Sequence, residues 1–330
     1  MRALRGLILL ALLLGALAAG WIGWFATQPR PLPRQPLDFT VKTGAGLKAV
    51  SRQLADEGLF PDPYTFWIVA RTLGRAPTIQ AGTYSIAQPL TAIEILDKLA
   101  RGDVLMVEVR FVEGTTLRQW LEILGKQPHV RNTLAGKPEP EIRAALGITE
   151  GTTEGWLFPD TYRFAPGITD VEILKRAYAA MKKRLEDAWQ ARAPDVPLKS
   201  PYEALVLASI VEKETGVAAE RPVIAAVFAN RLKLGMRLQT DPTVIYGMGE
   251  KFDGNIRRKD LTTDTPWNTY TRDGLPPTPI AMPGAGSLQA VTQPAQSRYL
   301  YFVGKGDGTH HFSTSLEEHN RAVAKYQLKR

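Results

Sequence analysis

Residues 6–26 carry no charge and are almost wholly apolar, which matches the roughly 20 residues an α-helix needs to cross a bilayer. Arg2 and Arg5 precede the run, so residues 1–5 are predicted as a cytoplasmic tip and 6–26 as a single anchor. Ala16, Leu17 and Ala18 look like a signal-peptide cleavage site. Apolar residues nevertheless continue through Trp21, Ile22, Trp24 and Phe25, with tryptophans where an interfacial belt would lie, which favours an uncleaved anchor. Everything beyond Thr27 is then expected outside the cytoplasm, held at a cytoplasmic (inner) membrane. Residues 27–38 contain Pro29, Pro31, Pro33 and Pro36 and predict a stiff, extended linker.

After the linker the periods shorten. A strand is expected at 39–42, a helix at 47–57 through Leu47, Val50 and Leu54, a second helix at 64–73 and a returning strand at 82–86. Thr91 and Glu94 have the spacing of a capping box for a further helix that stops near Gly102. Residues 39–105 therefore form a small α+β subdomain. In 106–200, Val107, Val109 and Phe111 alternate with polar residues as in a half-buried strand. Thr116 with Gln119 caps one helix, and Thr169 with Glu172 a long one whose apolar face is Val171, Leu174, Tyr178, Met181 and Leu185. Between them, EGWLFPDTYRF at 154–164 concentrates aromatic rings that serve either as core or as platforms for sugars. Residues 201–330 hold two strongly apolar helices, 202–211 and 219–234, the second with Val223, Val227 and Leu234 on one side, and two polar, loop-like stretches at 237–249 and 268–287. The fold class is α+β: a transmembrane helix, a small subdomain, a connecting region, and a mixed α+β catalytic core with a helix-borne acid.

Composition narrows the chemistry. The chain has 330 residues, a net charge of +8 and no cysteine, so thiol nucleophiles, disulfides and Cys-based zinc sites are excluded. The positive charge suits an anionic partner but is scattered, without the clustered Lys and Arg among aromatics that nucleic-acid binding requires. Its four histidines, His129, His310, His311 and His319, follow no recognised metal-ligand spacing, and there is no GxSxG, HExxH, GxGxxG or P-loop. Neither a metal nor a cofactor is expected, and carboxyl chemistry remains.

The segment LASIVEKETG at 207–216 places two glutamates at the end of an oily helix, with Gly216 as a C-terminal cap. A helix C-terminus carries partial negative charge, so a carboxyl there holds its proton more tightly. Glu214 lies over Val211, Ile210 and Leu207, whereas Glu212 lies over Ser209, Ala208 and Leu205. Glu214 is the better candidate general acid and Glu212 the fallback. The same spacing also suits two solvated surface acids flanking Lys213. Gln239, Thr240, Asp241, Thr243 and Tyr246 cluster in the polar stretch that follows and suit a polar polymeric ligand such as a glycan.

With these residues in view, the chain resembles the endolytic murein transglycosylase (YceG-like) family along nearly its full length. The resemblance rests on the anchor, the EGW-FPDTY segment, ASIVEKET, NRL-GMRLQTDPTVIYG, NTY-GLPP-PI-PG, YLYFV and the pair His319 and Asn320. It implies a LysM-like character for 39–105 and non-hydrolytic cleavage between N-acetylmuramic acid (MurNAc) and N-acetylglucosamine (GlcNAc). One Glu would protonate the leaving oxygen and then take the proton of the muramyl 6-hydroxyl, which closes a 1,6-anhydro ring. By the family's motif that Glu is Glu214, with Gln239, Asp241 and Tyr246 lining the cleft. The implied partner is peptidoglycan, with peptidoglycan synthases as neighbours at the membrane. A muramidase, or a silent wall-binding tether, stays open, as does whether cuts fall inside strands or at their ends.

Overall fold

The computed structural model describes residues 2–74 and 79–328. Met1 of the expected cytoplasmic tip, and Lys329 and Arg330 of the expected catalytic core, lie outside the described residues. The chain forms two compact units, residues up to 107 with 163–166, and 108–162 with 167–330.

The first unit begins with α1, Arg2–Thr27. Leu4–Thr27 is the one stretch among the described residues that is long and apolar enough to cross a membrane. Its last turn does something the apolar run does not predict. Phe25 and Ala26 are buried in the core of the following subdomain, with the Phe25 ring 5.7 Å from Phe60. The Arg30 guanidinium lies 3.7 Å above Phe25 and donates to its carbonyl at 2.8 Å. The proline-rich segment is not free in the structure, because Arg30 N–H donates to the Leu90 carbonyl at 2.8 Å and Leu32 packs on the same core.

Strands β1, Leu37–Val41, and β2, Gly82–Ile86, pair antiparallel with Leu37 opposite Ile86 and Val41 opposite Gly82. Strict alternation buries Leu37, Phe39 and Val41 on one face. Helices α2, Leu47–Asp56, and α3, Pro63–Thr72, pack on each other between the strands in sequence, and α4, Ala92–Arg101, follows. Asp62 caps α3 by accepting the Tyr64 and Thr65 N–H groups, and the expected Thr91–Glu94 capping box closes α4, which Gly102 ends in the left-handed region at φ 66°.

The chain continues through β3, Val107–Arg110, α5, Leu117–Gly125, β4, Val130–Arg131, α6, Glu139–Leu146, β5, Thr161–Phe164, β6, Ile168–Thr169, and α7, Asp170–Gln190. Both capping boxes expected here are present, Thr116 with Gln119 and Thr169 with Glu172. The buried face of α7 is Ile173, Leu174, Ala177, Met181 and Leu185, so Val171 and Tyr178 sit at its margin. Trp156, Leu157, Phe158 and Phe164 are buried, which makes the aromatic segment core.

The second unit is centred on α8, Pro201–Glu214, in which every residue from Ala204 to Val211 is buried. Helices α7, α9, Arg221–Lys233, and α12, Ala285–Thr292, all pack on it. On α9 the buried face includes Ile224, Val227 and Phe228, while Leu234 beyond its end is 64% exposed, contrary to the expected stripe. Helices α10, Asp241–Met248, and α11, Arg258–Thr262, lie between α9 and α12 in sequence. Strands β7, Tyr301–Gly304, and β8, His310–Ser313, form an antiparallel hairpin with Phe302 opposite Phe312, against which α13, Leu316–Tyr326, packs.

Candidate active site

Burying Leu205, Val206, Leu207, Ile210 and Val211 fixes α8, at roughly 2 kcal/mol for each side chain. An acidic residue at a helix C-terminus costs at most about 1 kcal/mol, so packing easily holds Glu214 at the end of the helix. The helix does not end on a glycine. Thr215 adopts extended backbone at φ −143° and ψ 136°, and Gly216 is not in the left-handed region. The extended Thr215 stops the helix one residue after Glu214.

Glu214 lines a cavity of about 520 Å³. Gln239, Thr240 and Asp241 from the start of α10 line it too, as do Tyr270, and Tyr301, His310 and His319 from the hairpin and α13. The Thr240 hydroxyl donates to Glu214 Oε1. Burial pushes the Glu214 carboxyl up to about 7, the Thr240 hydrogen bond opposes this, the charge of Asp241 adds to it, and His310 opposes it. The result is an acid that keeps a substantial protonated fraction, about half, at neutrality. Asp241 Oδ1 accepts a 2.6 Å hydrogen bond from Tyr270, whose hydroxyl is held above its usual pKa by burial first and then by Asp241.

Glu212 faces elsewhere. Its side chain is 5% exposed, Oε1 lies 3.3 Å from Arg221 Nη2, and Oε2 accepts the Gly284 N–H at 2.9 Å. It is a paired structural carboxylate.

The polar stretch is shaped by Arg231, a residue that composition and loop polarity did not single out. Buried on α9, it donates to the Arg237 and Leu238 carbonyls at 3.1 and 2.9 Å and to the Leu300 carbonyl at 2.6 Å, binding the approach to α10 and the approach to β7 to one guanidinium. Gln239 is the non-glycine residue with positive φ, 51°, among the described residues. The carbonyl of Thr269 accepts its N–H at 3.2 Å, and the Thr269 hydroxyl accepts the Thr240 N–H at 3.0 Å, so the strained turn is pinned where the site needs it. The sequence signal for Arg231 was its place in the NRL motif, on the apolar face of a helix.

Gln239 and Asp241 thus meet Glu214 at one cavity, and Tyr246 does not line it. The Tyr246 hydroxyl donates to Glu154 Oε2 at 3.3 Å and its ring lies 5.6 Å from Trp267. Glu154, from the EGW segment, also accepts the Leu117 N–H at the start of α5 at 3.0 Å, and burial pushes its carboxyl up to about 7. Among the described residues no three His, Asp or Glu side chains form a group that could hold a metal ion.

A family model described as YceG-like family matches residues 39–325. The chain belongs to the YceG-like family. Among family relatives, the endolytic murein transglycosylase of Bacillus subtilis (strain 168) is 30% identical over 307 residues, covering 88% of this chain and 84% of that protein. The endolytic murein transglycosylase of Streptococcus pneumoniae serotype 2 (strain D39 / NCTC 7466) is 24% identical over 359 residues, and the match covers 97% of this chain but 64% of that longer protein. A 2.6 Å crystal structure of a putative yceG-like protein, lmo1499 from Listeria monocytogenes, matches this fold with a TM-score of 0.56 and 28% identity, covering 87% of this chain and 98% of that one.

Proposed function

We propose that this protein is a membrane-anchored endolytic transglycosylase of peptidoglycan. It cleaves the MurNAc–GlcNAc bond of glycan strands and leaves a 1,6-anhydro MurNAc end. The observation that carries this is Glu214, a carboxyl that burial leaves substantially protonated up to about neutrality at the wall of a polar cavity. A glycosidic oxygen needs such an acid to leave. Once ionised, the same carboxylate becomes the final acceptor of the muramyl 6-hydroxyl proton, so the sugar supplies its own nucleophile and no second carboxylate is required. Gln239 and Asp241 hold the sugar from the start of α10. Tyr246 contributes from behind, by tying α10 to the buried Glu154. The activity named for the Bacillus and pneumococcal relatives supports this reading.

The apolar helix α1 serves as a single-pass anchor in the cytoplasmic membrane, N-terminus inside, which keeps the remainder beside newly made strands and the synthases that extrude them. The β-α-α-β order of the first unit supports a LysM-like wall-binding role for 39–105. The test is mass analysis of purified glycan strands digested by wild type and by Glu214→Gln. Wild type should release ends lighter by one water than reducing ends, and Glu214→Gln should be slower by at least about 100-fold. Reducing ends instead would identify a muramidase.

A further inference from the structure

The cavity lined by Glu214 carries a further titratable side chain, His310. His310 opens β8, and both oxygens of Glu220 hold it: the His310 N–H donates to Oε1 at 2.9 Å, and ring Nδ1 lies 2.7 Å from Oε2. Both side chains are 15% exposed. Burial pulls the other way, but the two His310 hydrogen bonds, the imidazolium charge when the ring is protonated, and Lys305 hold the Glu220 carboxyl below its ordinary value. Glu220 is therefore an anion, and in the neutral ring an anionic acceptor 2.7 Å from Nδ1 selects the tautomer with its proton on Nδ1. Phe302 meets the ring edge-on, 5.4 Å away at 90°, which fixes its plane. Nε2 makes no hydrogen bond among the described residues, and His310 lines the cavity while Glu220 does not. The free edge of the ring is thus the edge available to a ligand. A carboxylate behind an imidazole is the arrangement that fixes the tautomer and stabilises the imidazolium when Nε2 takes a proton.

We propose that His310, backed by Glu220, is a catalytic residue that receives the proton of the attacking 6-hydroxyl and passes it to Glu214. This rests on the transglycosylase reading above. Glu214 gives its proton to the bridging oxygen as the bond from C1 to that oxygen breaks. The 6-hydroxyl oxygen bonds to C1, and its proton goes to His310 Nε2. The imidazolium then returns a proton to the Glu214 carboxylate. Both side chains end as they began, and no water is consumed.

The test measures anhydro-end release and glycan binding for wild type, His310→Ala, His310→Asn, Glu220→Gln and Glu214→Gln, with and without added imidazole. His310→Asn keeps an amide nitrogen at the place of Nδ1 but has nothing at Nε2, so it carries the comparison if His310→Ala does not fold. Turnover in both His310 variants should drop by about 100-fold or more with glycan binding retained, and free imidazole should restore at least about tenfold in His310→Ala, or in His310→Asn if that variant alone folds. Glu220→Gln should be slower by about tenfold, because its amide no longer favours the imidazolium. Turnover in a folded His310 variant within threefold of wild type, or a loss that imidazole leaves untouched, would overturn the proposal. An active Glu214→Gln would instead remove the carboxyl reading, whatever His310 does. Reducing ends released by wild type, with slow His310 variants, would remove ring closure but keep His310 as the base, acting on water.

Discussion

Two glutamates two positions apart have opposite environments. Glu212 meets a guanidinium and a backbone N–H, and Glu214 meets a threonine hydroxyl, a cavity and the charge of Asp241. In the proposed mechanism the protonated form of Glu214 is the active acid, so a carboxyl with a value of about 7 predicts turnover that falls as pH rises through that value. Thr240→Val removes the hydrogen bond that favours the anion, so the alkaline limb of the pH–rate profile should move upward; a limb that stays in place or moves down would contradict the assignment. Stability carries the same sign. Glu154 and Glu214 bind protons more tightly folded than unfolded, so each destabilises the fold progressively from its unfolded value of about 4.5 up to about 7 and fully above. At most this is about 3 kcal/mol for each group. Glu154→Gln should flatten the decline of unfolding free energy between pH 5 and pH 8, measured by urea titration. Glu212→Ala acts differently, because it strips Arg221 of its closer ion-pair partner and leaves Glu113, at 3.5 Å, as the other among the described residues. It should cost roughly 2–3 kcal/mol of stability, somewhat less than the loss of a lone partner in a buried pair. Turnover per folded molecule should stay within a few-fold.

At the scale of elements, what was legible in the sequence is what is local. Capping boxes at Thr91, Thr116 and Thr169 are set by residues three apart, and all are present. Thr169→Ala should therefore cost about 1 kcal/mol in thermal or urea unfolding. The apolar run of α8 was equally plain, because nothing polar interrupts it. What failed was geometry decided by folding elsewhere. The stretch from 237 to 249 reads as a polar loop, yet from Asp241 onward it winds into α10. Asp241 and Tyr246 stand five residues apart, roughly 140° round a helix of 3.6 residues per turn. One reaches the cavity and the other turns to Glu154, so neighbours in the sequence part company in space. Arg231 and the His310–Glu220 pair escaped notice for the converse reason. Their partners are carbonyls and side chains up to 90 residues away, which no periodicity encodes.

For the molecule as a whole, the end of the apolar helix, proposed above as a membrane anchor, belongs to a folded domain. Residues 6–24 still supply 19 positions, about 28 Å of helix, close to the roughly 30 Å of a hydrocarbon core. Phe25 then enters the subdomain core, capped by Arg30. A soluble version of this protein cut at Gln28 would therefore discard part of that core along with the span. It would leave Phe60 facing an empty socket and Arg30 with only the more distant Phe60 ring, 5.9 Å away, beneath it. A cut placed before Phe25 spares the socket, and the difference between the two melting curves would report how firmly the folded subdomain is welded to its stalk.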